Sequence, residues 1–470
     1  MTSPNICKIL AKISKELPSD KNEGGVVTRG YGGSSTVLKS DLANEIIAIC
    51  RDYLSSRSVP LWLSWVLARE LSHENTVQNL LLKSCENDTP IAVNSVKPED
   101  SDSTMSASNK EDKSSVASAL NGFSCSETNI PSARVNEIMK ENLEKLCHKL
   151  SSATDPNGIP KELNATNSNE DLTSEQWYPY SFAVHSLRGR GKRSNEDHYV
   201  ALPKISFMYS EDGEHNIGDN AFFGTFDGHC GGQCSRYAAT HLIHHVVSSL
   251  RQNEIDPLAA LQTAFQATED GFSNLCSQEP SARSGSTAVC ALFQSSSNSI
   301  YISWLGDSQA LLVTKTGAIN LTPAHDLDND DEVERVTANG GAIISIQGKQ
   351  RLQGVLLVTR SLGDFACKPP VSAEPEIVRH DIQSGDCFLI LSSDGLSDGI
   401  EDCEIASLCH EYASENKSAF RCDKPFEETG EVRSDVNLAQ MLATKAKESG
   451  STDDITVIAI DLRPHVSKKE

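Results

Sequence analysis

AFFGTFDGHCGG, residues 221–232, decides how this chain folds. Ala221–Phe226 is a short apolar run that stops at Asp227-Gly228-His229 and passes into Cys230-Gly231-Gly232. Such a run, closed by turn residues, predicts a buried β-strand whose end carries polar side chains. The pattern recurs. Glu196-Asp197 lies upstream, Ser393-Asp394-Gly395 ends the run Phe388–Leu391, and Asp453-Asp454 precedes Ile455–Ile460. Acidic residues at several strand tips predict carboxylates converging on hard cations. The glycine after Asp227 lets backbone approach a metal, and His229 can move a proton.

Around this centre the chain divides by composition. Residues 1–85 read as a helical N-terminal region: Leu42, Ile46, Ile47, Cys50 and Leu54 recur at helical spacing behind Asp41, and Leu61 to Leu71 repeats the pattern. Residues 86–176 are a polar, largely disordered linker by composition, too poor in large apolar side chains to fold. An amphipathic helix is expected within it at residues 133–151, on Val135, Ile138, Met139, Leu143, Leu146 and Leu150. From residue 177 to 464 short apolar runs alternate with two long helical stretches, which predicts an α+β domain of packed sheets covered by helices. Residues 415–434 are polar and charged and read as a surface insertion.

Composition also excludes. A formal net charge of −23 argues against a nucleic-acid-binding protein, whose phosphate contacts need a basic surface. No run of about 18 apolar residues occurs, so no membrane span is expected. Fourteen cysteines are scattered without a tight framework. With no secretory signal pattern, reduced thiols in the cytoplasm are expected, with the nucleus as a second compartment.

A lone Asp at a strand end is ordinarily a turn or cap residue. The ordered set of Asp227, Asp394 and Asp453 with Glu196-Asp197 is read instead as an all-oxygen site for Mg²⁺ or Mn²⁺, two ions clamping a phosphoryl group. His229, beside Asp227, is placed as the general acid for a leaving oxygen. Arg188, Arg190, Lys192 and Arg193 form a basic run before the acidic pair. Arg193 is the better candidate to grip a phosphate oxygen, since Lys192 supplies only a point charge. Asp307 and Asp398 are candidates for a third cation near Asp394. Arg360, in Thr359–Asp364, fits either a structural or a substrate contact. Cys230 and Cys234 lack further zinc ligands and read as buried small residues at a loop–helix junction, with Cys230 a weak alternative nucleophile.

Taken in order, NEDHYVALP, FFGTFDGHCGG, GSTAVCALF, SWLGDSQALLV, LLVTRSLGDFACKPPVSAEPEI, FLILSSDGLSDGI and GSTDDITVIAIDL resemble the metal-dependent serine/threonine protein phosphatases of type 2C. SWLGDSQALLV and the helical N-terminal extension are most similar to the calcium/calmodulin-dependent protein kinase phosphatase branch, the partners of PIX. The resemblance implies a central antiparallel β-sandwich flanked by helices, with metals at one end. It implies that Asp227 bridges both metals, that Asp394 and Asp453 complete one site, and that Glu196 and the Gly228 carbonyl serve the other. Asp197 then orients the water and His229 is the general acid. The expected activity is hydrolysis of phosphoserine and phosphothreonine by hydroxide activated at two Mg²⁺ or Mn²⁺ ions, without a phosphoenzyme. The expected partners are phosphoprotein substrates in signalling, protein kinases among them.

Four positions depart from the family pattern. Lys192 stands where the phosphate-binding arginine is expected, Cys230 replaces a glycine, Ser397 an aromatic and Asp454 an asparagine. The lysine is the one feature that favours a catalytically weak phosphatase-fold adaptor. A hydrolase of small phosphoesters is a third reading.

Overall fold

The computed structural model describes residues 4–16, 36–37, 41–56, 59, 61–73, 130–152, 180–208, 220–252, 256–278, 283–415 and 437–466. Residues 86–129 and 153–176 of the expected linker, and all but the first residue of the expected insertion at 415–434, lie outside the described residues.

Two five-stranded antiparallel sheets form the centre. The strands, in chain order after two short ones at Thr36–Val37 (β1) and Ile130–Pro131 (β2), are β3 Ser181–Leu187, β4 His198–Leu202, β5 Ala221–Phe226, β6 Gly228–His229, β7 Gly285–Ser286, β8 Ala288–Gln294, β9 Ser299–Leu305, β10 Gln309–Thr314 and β11 Gly317–Asn320. They continue with β12 Ile343–Ile346, β13 Lys349–Leu352, β14 Leu362–Gly363, β15 Glu376–Asp381, β16 Asp386–Ser392 and β17 Ile455–Asp461. One sheet runs β11-β10-β16-β17-β3 and the other β15-β9-β8-β5-β4.

The continuous apolar runs have a simple cause. Each central strand is covered on both faces, so both faces favour apolar side chains. In β5, Ala221 and Phe223 join the core between the sheets, while Phe222 and Phe226 join the core beneath the helices. Phe223 packs edge-on against Phe182 and Phe293, with ring centroids 4.9 and 5.7 Å apart. In β16, Leu389 and Leu391 face the same inter-sheet core, while Phe388 and Ile390 face the helices on the other side.

The helices are α1 Pro4–Glu16, α2 Leu42–Ser56, α3 Leu61–His73, α4 Ser132–Ser152, α5 Gln233–Arg251, α6 Pro257–Gln278, α7 Asp330–Ala338, α8 Asp394–Ser397, α9 Asp402–Glu415, α10 Leu438–Glu448 and α11 Arg463–Val466. Side chains of α5 and α6 share one buried cluster with β4, β5 and β8. Those of α9 and α10 do the same with β16 and β17. Side chains of α1 to α4 belong to the α5 cluster, so the N-terminal helices pack on the sandwich rather than standing apart. Trp65 Nε1 donates to the Ala201 carbonyl of β4 at 3.1 Å, and Arg69 Nη1 to the Ser206 carbonyl at 3.3 Å. Among the described residues no helix is long and apolar enough to cross a membrane.

Candidate active site

Register carries the acids to one end of the sandwich. His198 pairs with Phe226, so Glu196-Asp197 enters β4 beside the point where Asp227 leaves β5. Ser392 pairs with Val457 and Gln309, which brings Asp394, Asp453-Asp454 and Asp307 to the same rim. Rigid strands therefore present carboxylates from distant sequence at one spot.

The carboxylates repel one another. Burial, then the charges of Asp197, Asp394 and Asp307, push Asp227 well above the ordinary carboxylate range. Burial likewise raises Asp394, Asp197 to about 7 and Asp307 to about 7, each with neighbouring aspartates adding to the shift. Asp197 Oδ2 accepts from Ser393 Oγ at 2.8 Å. The other Asp197 oxygen and Asp394 Oδ1 are buried without a hydrogen-bond partner. Asp398, exposed at the end of α8, adds its charge to Asp394.

This donor set suits hard divalent cations: it is all oxygen, anionic and partly unsatisfied. A Cβ on Gly228 would run into the Glu196 carbonyl and Ser235 Oγ, so only glycine lets these two loops touch. Among the described residues no three His, Cys, Asp or Glu side chains already stand at the spacing of a closed ligand shell.

His229 is held from the side. Its Nε2 meets Asp364 Oδ2 at 2.7 Å, and Ser361 Oγ donates to the same oxygen at 2.6 Å. A three-stranded sheet, β14-β7-β6, makes the encounter possible by setting His229 opposite Gly285, which pairs with Gly363. A side chain at position 285 would collide with both His229 and Asp364. Burial opposes an imidazolium here, but the hydrogen bond and charge of Asp364, with Asp307 and Glu196, raise the His229 pKa above its ordinary value. Sequence reasoning gives Asp364 no role. The sequence shows only an aspartate after Leu362-Gly363; its left-handed conformation, φ 48°, is seen in the structure alone.

The basic run divides differently from expectation. Lys192 Nζ contacts Asp453 Oδ1 and lies 3.3 Å from Asp454 Oδ2. Arg193 is exposed, and its carbonyl accepts from Arg188 Nη1 at 3.2 Å. The structure thus brings Lys192, and not Arg193, into the carboxylates. Burial opposes the Lys192 charge, and Asp453 and Asp454 outweigh it, raising its pKa. Asp454 does more than add charge: its oxygens accept from the backbone N–H of Gly189 at 2.7 Å and of Glu196 at 2.9 Å, pinning the loop that carries the acids.

Two further residues are settled by contacts. Arg360 Nη2 binds Glu332 Oε1 at 2.6 Å and Glu376 Oε1 at 3.0 Å, a structural role. Cys234 is buried as expected, whereas Cys230 is exposed, because its positive φ of 58° turns the side chain off the loop. Burial, Asp364 and Glu196 raise the Cys230 pKa, which disfavours a thiolate nucleophile.

Residues 181–455 match the family described as Protein phosphatase 2C. The chain is similar to Protein phosphatase 1F of Mus musculus, 31% identical over 289 residues that cover 61% of this chain and 58% of that protein. It is similar to Protein phosphatase 1E of Homo sapiens, 31% identical over 287 residues, 60% of this chain and 34% of that one. It is also similar to Protein phosphatase fem-2 of Caenorhabditis elegans, 31% identical over 296 residues, 62% and 61% of the two chains. The matched stretch spans less than two thirds of each of these relatives. Among solved structures, that of a C. elegans sex determining protein has the same fold, with a TM-score of 0.67 at 22% identity over 97% of this chain and 95% of that one. The family match takes in more than half of the chain, and the chain belongs to the protein phosphatase 2C family.

Proposed function

We propose that this chain is a metal-dependent protein phosphatase that hydrolyses phosphoserine and phosphothreonine. The observation that carries the reading is the convergence of Asp197, Asp227, Asp307 and Asp394 at one rim, each with a raised pKa, beside the His229–Asp364 pair. Divalent cations, when bound, stabilise charge on phosphoryl oxygens and lower the pKa of water.

In this reading Asp227, Asp394, Asp453, Glu196 and the Gly228 carbonyl hold two Mg²⁺ or Mn²⁺ ions. Asp307 and Asp398 form the weaker third-ion pair. Asp197, steadied by Ser393, accepts a hydrogen bond from the attacking water and sets its direction. His229 donates a proton to the departing serine or threonine oxygen, and Asp364 keeps the imidazole turned and charged for that step. Lys192, which contacts Asp453 at the rim, would hold a phosphate oxygen as a point charge. Arg193 is the second basic group of the loop, one residue nearer to Glu196 in sequence but exposed and without the contact to Asp453 that Lys192 makes. The substrates are phosphoproteins, phosphorylated protein kinases among them. Scattered cysteines without a disulfide framework support a cytoplasmic site of action, with the nucleus second.

The test is phosphate release from a phosphothreonine peptide by the full chain with Mn²⁺ or Mg²⁺ and with excess chelator. Turnover that needs the metal, and is lost in Asp227→Asn and Asp394→Asn, is the expected result. An intact, metal-supplied chain without turnover would favour the adaptor reading, for which the lysine at position 192 is the supporting feature.

A further inference from the structure

A second cavity lies beside the carboxylate rim. It measures about 420 Å³ and is lined by Arg188, Arg190, Lys447, Ser451 and Thr452, with glycines between them. Its floor is fixed, because Arg190 N–H donates to the Thr452 carbonyl at 2.9 Å. Its mouth is open: Cβ atoms on Gly191 and Gly450 would meet nothing within 4 Å. Three cationic side chains face one space in a chain whose net charge is −23. Ser451 is 6% exposed, and its hydroxyl is buried without a hydrogen-bond partner. A buried hydroxyl left unpaired costs about 1–3 kcal/mol, so an acceptor supplied from outside would be favoured there.

We propose that this cavity binds a second phosphoryl group, carried by the same substrate as the phosphate that is cleaved. The inference rests on the phosphatase reading and adds a substrate class to it: doubly phosphorylated segments. A phosphate ester near neutral pH carries about 1.5 to 2 negative charges and three acceptor oxygens. Arg188 and Arg190 can grip two of those oxygens, Lys447 adds charge, and Ser451 Oγ, turned outward by rotation about χ1, donates to the third.

Chain adjacency sets the cavity next to the carboxylates. Thr452 directly precedes Asp453, and Arg190 lies two residues before Lys192, whose ammonium touches Asp453. At about 3.3 Å per extended residue, a second phosphoresidue roughly two to four positions from the scissile one reaches the cavity. The cavity also answers a difficulty of charge. A strongly acidic protein repels acidic substrates at long range, and a local cationic site beside the acids offsets that repulsion where the substrate docks.

Two readouts test the site separately from catalysis. In the first, fluorescence anisotropy follows binding of labelled peptides, built with a non-hydrolysable phosphonate at the scissile position, to the full chain with Mn²⁺. The peptides carry that phosphonate alone, or a second one three residues away, or glutamate in place of the second. The doubly phosphorylated peptide is expected to bind about tenfold tighter than the singly phosphorylated one, with the glutamate peptide between them. Arg190→Gln and Lys447→Gln, made separately, are each expected to shrink the tenfold difference severalfold, and far more than either changes binding of the singly phosphorylated peptide. Equal binding of the singly and doubly phosphorylated peptides by the unaltered chain would overturn the proposal. So would a preference that survives in both variants. In the second readout, with Mn²⁺ present, the ratio of kcat/KM for the two corresponding phosphothreonine peptides should follow the binding ratio. No turnover on any peptide, with the binding preference intact, would sink the phosphatase reading while leaving the anion site standing.

Discussion

At the scale of single residues, the site combines groups that resist being together with groups that hold them there. Asp394 and Asp227 are pushed toward protonation by burial and by their neighbours. Replacing Asp394 with asparagine should therefore have opposite effects on stability and activity. In chelator the variant should melt higher, a gain of about 1 kcal/mol appearing as roughly 1–2 °C in Tm for a cooperative unit of this size. With Mn²⁺ it should lose more than ~100-fold in kcat and much of the Tm rise that Mn²⁺ gives the unaltered chain. A lower Tm in chelator would show that Asp394 is stabilising as it stands. Asp364 acts through His229, and its test depends on the leaving group. Asp364→Asn should cost ~10-fold or more in kcat on a phosphothreonine peptide, whose alkoxide needs a proton. It should cost little on p-nitrophenyl phosphate, whose leaving group does not. Equal losses on both substrates would mean that Asp364 only supports the fold. The rim carboxylates were legible in the sequence because each follows or precedes an apolar run. Asp364 was not, because its value depends on a contact with His229 across 135 positions of chain.

At the scale of elements, the strands that sequence revealed were those buried on both faces. Ala221–Phe226 is β5 to the residue, and Ile455–Ile460 falls one short of β17. The edge strand β15, Glu-Ile-Val-Arg-His-Asp, was missed because it is half exposed and shows no apolar run. So was the β12–β13 hairpin, which is largely solvated. The chain around them, from α7 to β15, is organised by charge. Glu332 on α7 accepts from Arg335 at 2.8 Å, from Arg360 at 2.6 Å and from Thr359 at 2.5 Å. Burial opposes its ionisation, but these bonds prevail and hold its pKa down to about 2. A carboxylate depressed in the native state stabilises fully above its unfolded pKa and loses that contribution as pH falls toward its native value. The contribution is ~3 kcal/mol, lost between about pH 4.5 and 2. His325 stacks on Trp304 with centroids 5.6 Å apart, lies 3.4 Å from Glu376, and is lowered to about 4 by burial and then by Arg360. The unfolded chain takes that proton near pH 6.5 while the native one refuses it, so stability falls from there toward pH 4. Urea melts against pH should show a loss below about pH 4.5 from Glu332, while between pH 7 and 4 the loss from His325 runs against a gain from Asp197 and Asp307, which take protons near pH 7 in the native chain and only near pH 4 in the unfolded one. Glu332→Gln should lower stability at pH 7 and flatten the lower window. His325→Phe should remove the opposing loss from the upper one and leave the aspartates' gain. A Glu332→Gln chain with unchanged stability at pH 7 would remove the ion network from the account.

At the scale of the whole molecule, the N-terminal helices bear on whether the chain unfolds as one body. A half-core of about 80 residues is marginal alone. Here the buried side chains of α1 to α4 share a single cluster with Phe222 and Phe226 of β5 and Tyr237 of α5. The junction is polar as well as apolar. Glu45 Oε1 lies 3.3 Å from His241 Nε2, both buried, and Asp52 pairs with Arg236 at 3.4 Å. Because α5 begins directly after the Asp227–Gly232 loop, packing against it also steadies the loop that carries His229. A shared core of this kind predicts one cooperative transition. Tryptophan fluorescence reports on Trp62 and Trp65 in α3 as well as on Trp304 in β9, while far-ultraviolet circular dichroism follows all the helices and sheets. The two probes should give the same urea midpoint. Trp65→Ala removes a fully buried indole and its bond to β4, and should cost about 3–5 kcal/mol. The decisive point is where that cost appears. If the helices and sandwich form one unit, both probes should shift together and stay coincident. If the helices melt first, leaving a sandwich that unfolds at its original midpoint, the N-terminal region is a docked module, and its hold on α5 cannot govern the site.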